Sequence, residues 1–325
     1  MIPTSQHPVS FNAAVRSIAG HEGIVLSSAE GSELIVIPSL GGMVHSLSLP
    51  LAGKILRSDA DAELSDNPLF RGRLLFPFND RIPLGRYTFD GREYKLPSND
   101  PADGSAIHGF LYRRTMKIIQ ERSGAGFASL TLGLDLRDDE EPGYPFCLSL
   151  RVEYRLDAAG FHLCMTTKNT GSGPAPLAFG WHPYFTLPGG KADAWTLRHD
   201  ARAYAPVGPD LLPTGGLSSV ANTPFDFTQG RLLGNSQLDI ALAASRESAC
   251  LSSGSAKIFI DADMPPFAYT QLFIPPQRDS IAIEPITAVT DSFNQPGLGC
   301  IRLKPGASVS GTIHVWEEKR RMDSA

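Results

Sequence analysis

Short runs in which apolar and polar residues alternate recur along almost the whole chain, and this period-two pattern constrains the fold more than any other feature. Successive side chains of a β-strand point to opposite faces of a sheet, so the alternation predicts strands with one buried and one solvated face. The runs are also rich in the β-branched and aromatic residues that strands favour. They lie at 32–39, 87–96, 127–136, 147–156, 161–169, 256–262, 267–275, 280–286 and 310–318.

Turn chemistry separates these runs, and helical patterning is scarce. Asp90-Gly91, inside YTFDGREY, is a two-residue hairpin signal. Only the stretch at 63–75 has a pattern that allows a turn or two of helix. No repeat of 20–50 residues is evident, which disfavours a propeller or a solenoid. The sequence therefore predicts an all-β fold built from large, packed antiparallel sheets.

The length and composition are compatible with one large domain. All-β domains commonly exceed 200 residues, and no linker or change of composition divides the 325 residues, so we expect a single domain over 1–325. With 42% hydrophobic and 19% charged residues the chain has enough apolar surface for a substantial core. A net charge of −5 leaves no basic surplus to neutralise a phosphate backbone, so we expect no nucleic-acid partner.

Signals for export, membranes and metals are missing from the sequence. The N-terminus has no basic start followed by an apolar stretch, and no run of 18 apolar residues occurs, so we expect a cytoplasmic protein with no membrane partner. The four cysteines are scattered, which predicts buried free thiols rather than a disulfide framework. No ligand cluster with metal spacing is present, and we expect no cofactor.

The segment FGWHPYFTLPGG, at 179–190, places His182 between Trp181 and Pro183 and before the aromatic residues Tyr184 and Phe185. Pro183 has a fixed φ and biases the residue before it toward an extended backbone. The direction of the His182 side chain is therefore set by the chain. A histidine held against an aromatic wall is a candidate acid/base group, and we expect at least one of the three aromatic residues to line a site.

Two other segments complete a pattern. They are FPFNDRIPLGRYTFDGREYKLPSND followed by AIHGF, at 76–110, and IAIEPITAVTDSFN, at 281–294. Taken in order with HPYF, they resemble the motifs of the aldose 1-epimerase (galactose mutarotase) family. The matching positions are Arg81-Ile82, Gly85 to Asn99, His108-Gly109, His182 to Phe185, and Glu284-Pro285 with Asp291 and Asn294.

This resemblance implies a fold, a reaction and a set of residues. The fold would be a galactose mutarotase-like supersandwich with an open groove on one sheet. The activity would be that of an isomerase that interconverts the α and β anomers of a small-molecule sugar, a hexose, without a cofactor, in a monomer or homodimer. Glu284 would take the proton of the anomeric hydroxyl and His182 would serve the ring oxygen. The sugar-binding residues would be Arg81, His108, Asp239, Asn79 and Tyr184.

The chain departs from the family pattern at one of these motifs. The family's Asn-Arg is Asp80-Arg81 here, with Asn79 one position earlier, so the sequence leaves open which of these three side chains faces the groove.

The chemistry assigned to His182 and Glu284 rests on residue type. Apolar neighbours in IAIEPI would raise the pKa of a carboxyl at Glu284. An imidazole near its ordinary pKa of about 6.5 gives and takes protons at neutral pH.

Two other functions fit the same scaffold. A hexose-6-phosphate mutarotase would use Arg113 or Arg114, which follow His108-Gly109-Phe110, to bind the phosphate. Neighbouring residues on a strand face opposite ways, so at most one of the two arginines would serve. A non-catalytic carbohydrate-binding or regulatory protein is the second alternative, although binding alone would not require both a histidine and a glutamate at the proton-transfer positions.

Overall fold

The computed structural model describes residues 9–66, 68–244, 249–254, 256–295 and 297–318. Residues 1–8, part of the N-terminal segment considered above, lie outside these ranges. The described residues form antiparallel strands joined by loops and by 3₁₀ turns, the longest of which has three residues. No helix among them is long and apolar enough to cross a membrane.

In the N-terminal half the strands are β1 (Phe11–Ile18), β2 (His21–Ser28), β3 (Glu33–Ile37), β4 (Met43–Leu49), β5 (Gly53–Lys54), β6 (Leu74–Leu75), β7 (Arg81–Ile82), β8 (Arg86–Phe89), β9 (Arg92–Lys95), β10 (Ala106–Ile107), β11 (Lys117–Ser123), β12 (Phe127–Leu136), β13 (Leu148–Asp157) and β14 (Gly160–Asn169). In the C-terminal half they are β15 (Ala175–Leu177), β16 (Gly180–Trp181), β17 (Tyr184–Phe185), β18 (Thr196–Arg198), β19 (Ala203–Ala205), β20 (Ser218–Ser219), β21 (Arg231–Leu232), β22 (Asp239–Ala243), β23 (Ala249–Ser253), β24 (Ala256–Ala262), β25 (Tyr269–Phe273), β26 (Ile281–Ile286), β27 (Ile301–Leu303) and β28 (Ser308–Glu317). The 3₁₀ turns are Pro38–Leu40, Asp61–Glu63, Pro83–Gly85, Leu111–Arg113 and Ala192–Ala194.

Three large sheets organise these strands. The first has five strands in the order β1-β2-β3-β4-β5, and the second has nine in the order β11-β12-β13-β14-β28-β24-β23-β18-β21. The third has eight strands in the order β20-β19-β22-β25-β26-β16-β6, with β17 also paired to β26. The predicted all-β, antiparallel architecture is confirmed.

The alternating runs of the sequence are strands in the structure. The runs at 127–136 and 256–262 coincide with β12 and β24, and the other runs match strands to within a few residues. The hairpin predicted at Asp90-Gly91 joins β8 to β9, with Phe89 opposite Arg92. Both loop residues have positive φ, as a two-residue hairpin of this kind requires.

The helix allowed at 63–75 is not formed. One 3₁₀ turn, Asp61–Glu63, ends at the start of the segment, and the described residues after it form turns that lead into β6. Phe70 and Gly72 have φ of 52° and 71°, values outside the helical region. The backbone of this segment is instead bonded to residues far along the chain, because Gly72 N donates to the carbonyl of His182 at 2.8 Å.

The core lies between the sheets. One hydrophobic cluster extends along the chain from Phe11 to Val315 and includes Leu163 of β14 and Ile283 of β26. The four cysteines are free, as expected. Their predicted burial holds only for Cys250, since Cys147, Cys164 and Cys300 are partly exposed on strand faces or in loops.

Candidate active site

A cavity of about 490 Å³ opens on the eight-stranded sheet. Its floor is formed by side chains of β22, β25 and β26, and its walls by the chain around His182 and by loops from the N-terminal half. This volume lies within the range that binds small organic molecules. The polar and charged residues that line it are Asp66, Asn79, Asp80, Arg81, Asn99, Asp100, His108, Tyr112, His182, Tyr184, Asp239, Gln271 and Glu284.

All seven residues selected from the sequence line this cavity, although they are separated by up to 205 positions in the chain. They are Asn79, Arg81, His108, His182, Tyr184, Asp239 and Glu284. Asp80 lines it as well, so each of the three side chains at 79–81 borders the cavity. The antiparallel pairing brings Glu284 of β26 beside Gln271 of β25 and brings Tyr184 of β17 beside Ala282.

His182 and Glu284 form a buried pair. The distance from His182 Nδ1 to Glu284 Oε1 is 3.5 Å, and the two residues are 5% and 2% exposed. His182 Nδ1 has no hydrogen-bond partner among the described residues. Burial lowers the pKa of His182 to about 3, which differs from the value near 6.5 expected from the sequence, and the Arg71 charge contributes. Burial, with the charges of Asp80 and Asp239, raises the pKa of Glu284 well above its ordinary value, as expected.

His108 is held in a single orientation. It has φ of 61°, and a Cβ at the following Gly109 would collide with the carbonyl of Phe76. The backbone N–H of Asp80 donates to His108 Nδ1 at 3.2 Å, and burial holds the pKa of His108 well below its ordinary value. A neutral imidazole that accepts at Nδ1 carries its proton on Nε2, so His108 is a hydrogen-bond donor at Nε2.

The segment 79–81 supplies three different groups. Asn79 Nδ2 donates to the carbonyl of Ala288, which leaves the buried Asn79 Oδ1 without a partner among the described residues. Asp80 accepts from Thr290 Oγ1 at 2.5 Å and from the Arg81 backbone N–H at 2.7 Å. Burial raises the pKa of Asp80. Arg81 forms ion pairs of 3.1 Å with Asp100 and 3.0 Å with Asp103.

Asp239 and Gln271 form a hydrogen-bonded pair on the cavity floor. Gln271 Nε2 donates to Asp239 Oδ1 at 2.8 Å. Burial raises the pKa of Asp239 to about 6, and the Asp80 charge adds to this effect. Sequence reasoning missed Gln271. The available signal is its position in YTQLF, directly across from Glu284 in the neighbouring strand.

One of the three aromatic residues around His182 lines the cavity, as the sequence predicted. The Tyr184 ring stacks on the His182 ring with 5.0 Å between centroids and 6° between planes. Trp181 and Phe185 belong to the hydrophobic core instead. Three other aromatic residues that the sequence did not single out, Phe70, Tyr112 and Phe273, complete the lining.

The arginines suggested as phosphate ligands lie elsewhere. Arg113 ends a 3₁₀ turn and Arg114 follows it, so the two are not on a strand as assumed. Arg113 pairs with Glu141, and Arg114 pairs with both Glu140 and Glu141. Neither arginine lines the cavity. Among the described residues no three His, Cys, Asp or Glu side chains are arranged to hold a metal ion.

Comparison with known proteins gives one family. The family model described as aldose 1-epimerase matches residues 24–316. The uncharacterized protein YihR of Escherichia coli is 27% identical over 247 residues, which cover 72% of this chain and 75% of that protein. The aldose 1-epimerase of Escherichia coli is 32% identical over 212 residues, 62% of this chain and 58% of that protein's length. This alignment therefore spans less than two thirds of that protein.

Solved structures show the same fold over almost the whole chain. A galactose mutarotase-like protein from Clostridium acetobutylicum superposes with a TM-score of 0.82 and covers 96% of this chain and 99% of its own, at 19% sequence identity. At this identity the similarity shows the fold alone. The supersandwich predicted from the sequence is thereby confirmed.

Proposed function

The chain belongs to the aldose 1-epimerase family of isomerases, and from that premise we propose that it is a mutarotase that interconverts the α and β anomers of an uncharged hexose. The observation that carries the proposal is the pair of His182 and Glu284, buried 3.5 Å apart in a cavity of sugar size. An acid and a base at hydrogen-bond range of one ligand are what this reaction requires.

Anomer interconversion removes one proton and adds one. In the proposed mechanism Glu284 takes the proton of the anomeric hydroxyl while His182 protonates the ring oxygen. The bond between the anomeric carbon and the ring oxygen then breaks, and the ring opens to an aldehyde. After rotation about the adjacent carbon–carbon bond, the two protons return, the hydroxyl adds to the other face, and both side chains recover their starting forms.

The pKa directions support one protonation state of the pair. Burial disfavours both charged forms, which favours a protonated Glu284 carboxyl beside a neutral His182. The proposed chemistry also needs one proton on the pair, placed on His182. The form with the proton on Glu284 and the form with it on His182 differ only by a proton transfer between groups 3.5 Å apart. In a titration the two forms count as one singly protonated state of the pair.

The remaining polar groups are suited to hold the sugar. His108 presents a donor at Nε2, and the Arg81 guanidinium, which also lines the cavity, carries further donors. Asn79 Oδ1 and the Asp239 carboxylate are acceptors for sugar hydroxyls. Tyr184 and the other aromatic residues of the lining, Phe70, Tyr112 and Phe273, supply apolar walls for the carbon side of the ring.

The charges around the cavity favour an uncharged substrate over a sugar phosphate. Among the described residues of the lining, the carboxyl groups are Asp66, Asp80, Asp100, Asp239 and Glu284, whereas the guanidinium of Arg81 is already paired with two aspartates. Among the described residues of the lining, a phosphate dianion would therefore find no cation that is not already paired with a carboxylate. Arg113 and Arg114, which kept the phosphate alternative open, are paired outside the cavity.

Polarimetry with freshly dissolved α-anomers tests the proposal. We expect the protein to accelerate equilibration of glucose or galactose and to have little effect on their 6-phosphates. Faster equilibration of a 6-phosphate than of the free sugar would favour the phosphate alternative. Saturable sugar binding by calorimetry, without any acceleration, would favour the non-catalytic alternative and refute the proposed mechanism.

A further inference from the structure

The segment Phe70-Arg71-Gly72-Arg73 runs beside both histidines of the cavity. The Phe70 ring packs edge-on against His108, with 4.7 Å between ring centroids. Gly72 N donates to the carbonyl of His182 at 2.8 Å, and His182 N donates to the carbonyl of Arg73 at 2.9 Å. These two bonds fix the backbone at His182. A Cβ at Gly72 would collide with the carbonyl of Val44, so only glycine fits there.

Arg71 is the charged member of this segment, and its side chain is buried. Its Nε lies 3.1 Å from Asp59 Oδ1, its Nη1 donates to Ser280 Oγ at 3.1 Å, and its Nη2 lies 3.4 Å from Asp279 Oδ1. The side chain is only 6% exposed. A guanidinium with three partners has one orientation, because its planar fork of donors fits them together.

The fixed guanidinium lies over the far side of the Tyr184 ring. Arg71 Cζ is 4.7 Å from the Tyr184 ring centroid, and the same ring stacks on His182 at 5.0 Å. His182 also meets the His108 ring, in an edge-to-face arrangement with 5.0 Å between centroids. His182 is thus held between Tyr184 and His108, with its Nδ1 toward Glu284.

We propose that Arg71 is a positioning residue for the acid/base pair of the proposed mutarotase: it holds the Tyr184 ring against the His182 imidazole and so keeps Nδ1 of His182 facing Glu284. The proposal rests on the function proposed above, because positioning has a kinetic consequence only if His182 transfers protons. Arg71 touches no reacting atom, so its contribution is made through Tyr184.

The Arg71 charge has a second consequence for His182. The charged or titratable groups that face His182 are Glu284 on β26, His108, Tyr184 on β17 and Arg71 behind Tyr184. The Arg71 charge lowers the pKa of His182, although less than burial does. The neutral imidazole at rest is therefore maintained partly by a charge that lies outside the cavity lining.

Three variants separate these effects. Arg71→Lys keeps the charge but removes the planar fork that reaches Asp59, Ser280 and Asp279 at once. Asp59→Asn with Arg71→Met removes the charge together with one buried partner, which avoids leaving an uncompensated Asp59. Arg57→Met is the matched control, because the exposed Arg57 side chain pairs with the same Asp279 at 2.8 Å. The Arg57 backbone N–H donates to the Tyr184 carbonyl at 2.8 Å, and the substitution keeps this bond.

Two measurements are made on each variant, polarimetry for kcat and KM and nuclear magnetic resonance of the imidazole nitrogens for the titration of His182. We expect Arg71→Lys to lower kcat about ten-fold or more with a smaller change in KM, since a small misplacement of a reacting group is costly. In the double variant we expect His182 to gain its proton at a higher pH than in the parent. Arg57→Met should match the parent in both measurements.

An Arg71→Lys protein with parental kcat and KM would overturn the proposal, as would a double variant in which His182 titrates as in the parent. A purely structural role would lower the melting temperature and leave both readouts unchanged. The resonance measurement does not depend on turnover. If the parent fails to accelerate anomerisation while His182 still responds to Arg71, the proposed function fails and the coupling of Arg71 to His182 stands.

Discussion

Strands β14 and β26 belong to different sheets and use their residues in different ways. In β14 buried and partly exposed residues alternate, with Phe161, Leu163 and Met165 inside and the residues between them on the outer face. In β26 every residue from Ile281 to Ile286 is buried, because protein covers both faces of the strand. Glu284 is one of these residues and is 2% exposed.

This difference separates residues that stabilise the fold from residues that are candidates for chemistry. A polar residue on the outer face of β14 is solvated, so its presence there has little energetic cost. A carboxyl in β26 is removed from water, which raises its pKa and destabilises its ionised form. The carboxyl at 284 is therefore a candidate for function, whereas the alternating residues of β14 are explained by packing.

The largest effect is expected for Glu284, in the strand that protein covers on both faces, and for its partner His182. Glu284→Gln keeps the size and hydrogen-bonding shape of the side chain but cannot accept the anomeric proton, so we expect kcat to fall by about 10²–10⁴-fold with sugar binding retained. His182→Asn should have an effect of similar size. Parental turnover in either variant would remove that residue from the mechanism.

The pH dependence of kcat/KM sharpens the assignment of this pair. Because the pKa of His182 lies near 3 and that of Glu284 lies well above its ordinary value, the acidic limb reports His182 and the basic limb reports Glu284. This is the reverse of what ordinary pKa values would give. Glu284→Gln removes the group with the high pKa, and its residual activity still needs a protonated His182, so this activity should decline with rising pH from the low pKa of His182. A basic limb that stays at the parental pH would contradict the proposed protonation state.

The opposite result is expected in β14. Leu163 is fully buried in the main core cluster, so Leu163→Ala removes apolar contacts and leaves a cavity. We expect the free energy of unfolding to fall by about 2–5 kcal/mol, measured by denaturant titration, while kcat changes little. A large loss of kcat at unchanged stability would break the division between the two strands.

The fold was predictable because its evidence is local. Alternation in runs such as 127–136 and the turn signal at Asp90-Gly91 depend only on neighbouring residues, and both are formed as predicted. The candidate site was found through ordered motifs, which led to His182 and Glu284 without a knowledge of the sheet that joins them. Their roles remain predictions until the variants are measured.

Segment 70–73 was not predictable for the opposite reason. Its backbone takes positive φ at Phe70 and Gly72 to meet residues more than 100 positions away, and nothing in the local sequence specifies those partners. The prediction that Arg113 and Arg114 lie on a strand was wrong for a similar reason. Their acidic partners, Glu140 and Glu141, lie in a loop that the local sequence around the arginines does not specify. The low pKa of His182 also depends on burial that only the assembled cavity provides.

A smaller effect is expected on the cavity floor, where the pKa of Asp239 is raised to about 6. Above this pH the carboxylate accepts hydrogen bonds from the sugar, and below it the proton removes much of that capacity. Calorimetry in the Glu284→Gln background should show the dissociation constant rising about ten-fold from pH 7 to pH 5. Adding Asp239→Asn should remove this dependence. A dependence that persists in the double variant would assign it to another group, such as Asp80.

The smallest effect is expected for His162→Asn, on the outer face of β14. The same change of histidine to asparagine should be severe at His182 in the cavity. His162 stacks on His314 of β28 with 4.1 Å between centroids, and the pKa of His314 is lowered first by burial and second by His162. His162→Asn removes only the second cause, so the pKa of His314 should rise while remaining below its ordinary value. Magnetic resonance titration of His314 measures this rise. We expect kcat to be unchanged and the free energy of unfolding to change by less than about 1 kcal/mol, because the site is partly solvated. A loss of turnover comparable to that of His182→Asn would show that the outer face of this sheet also takes part in function.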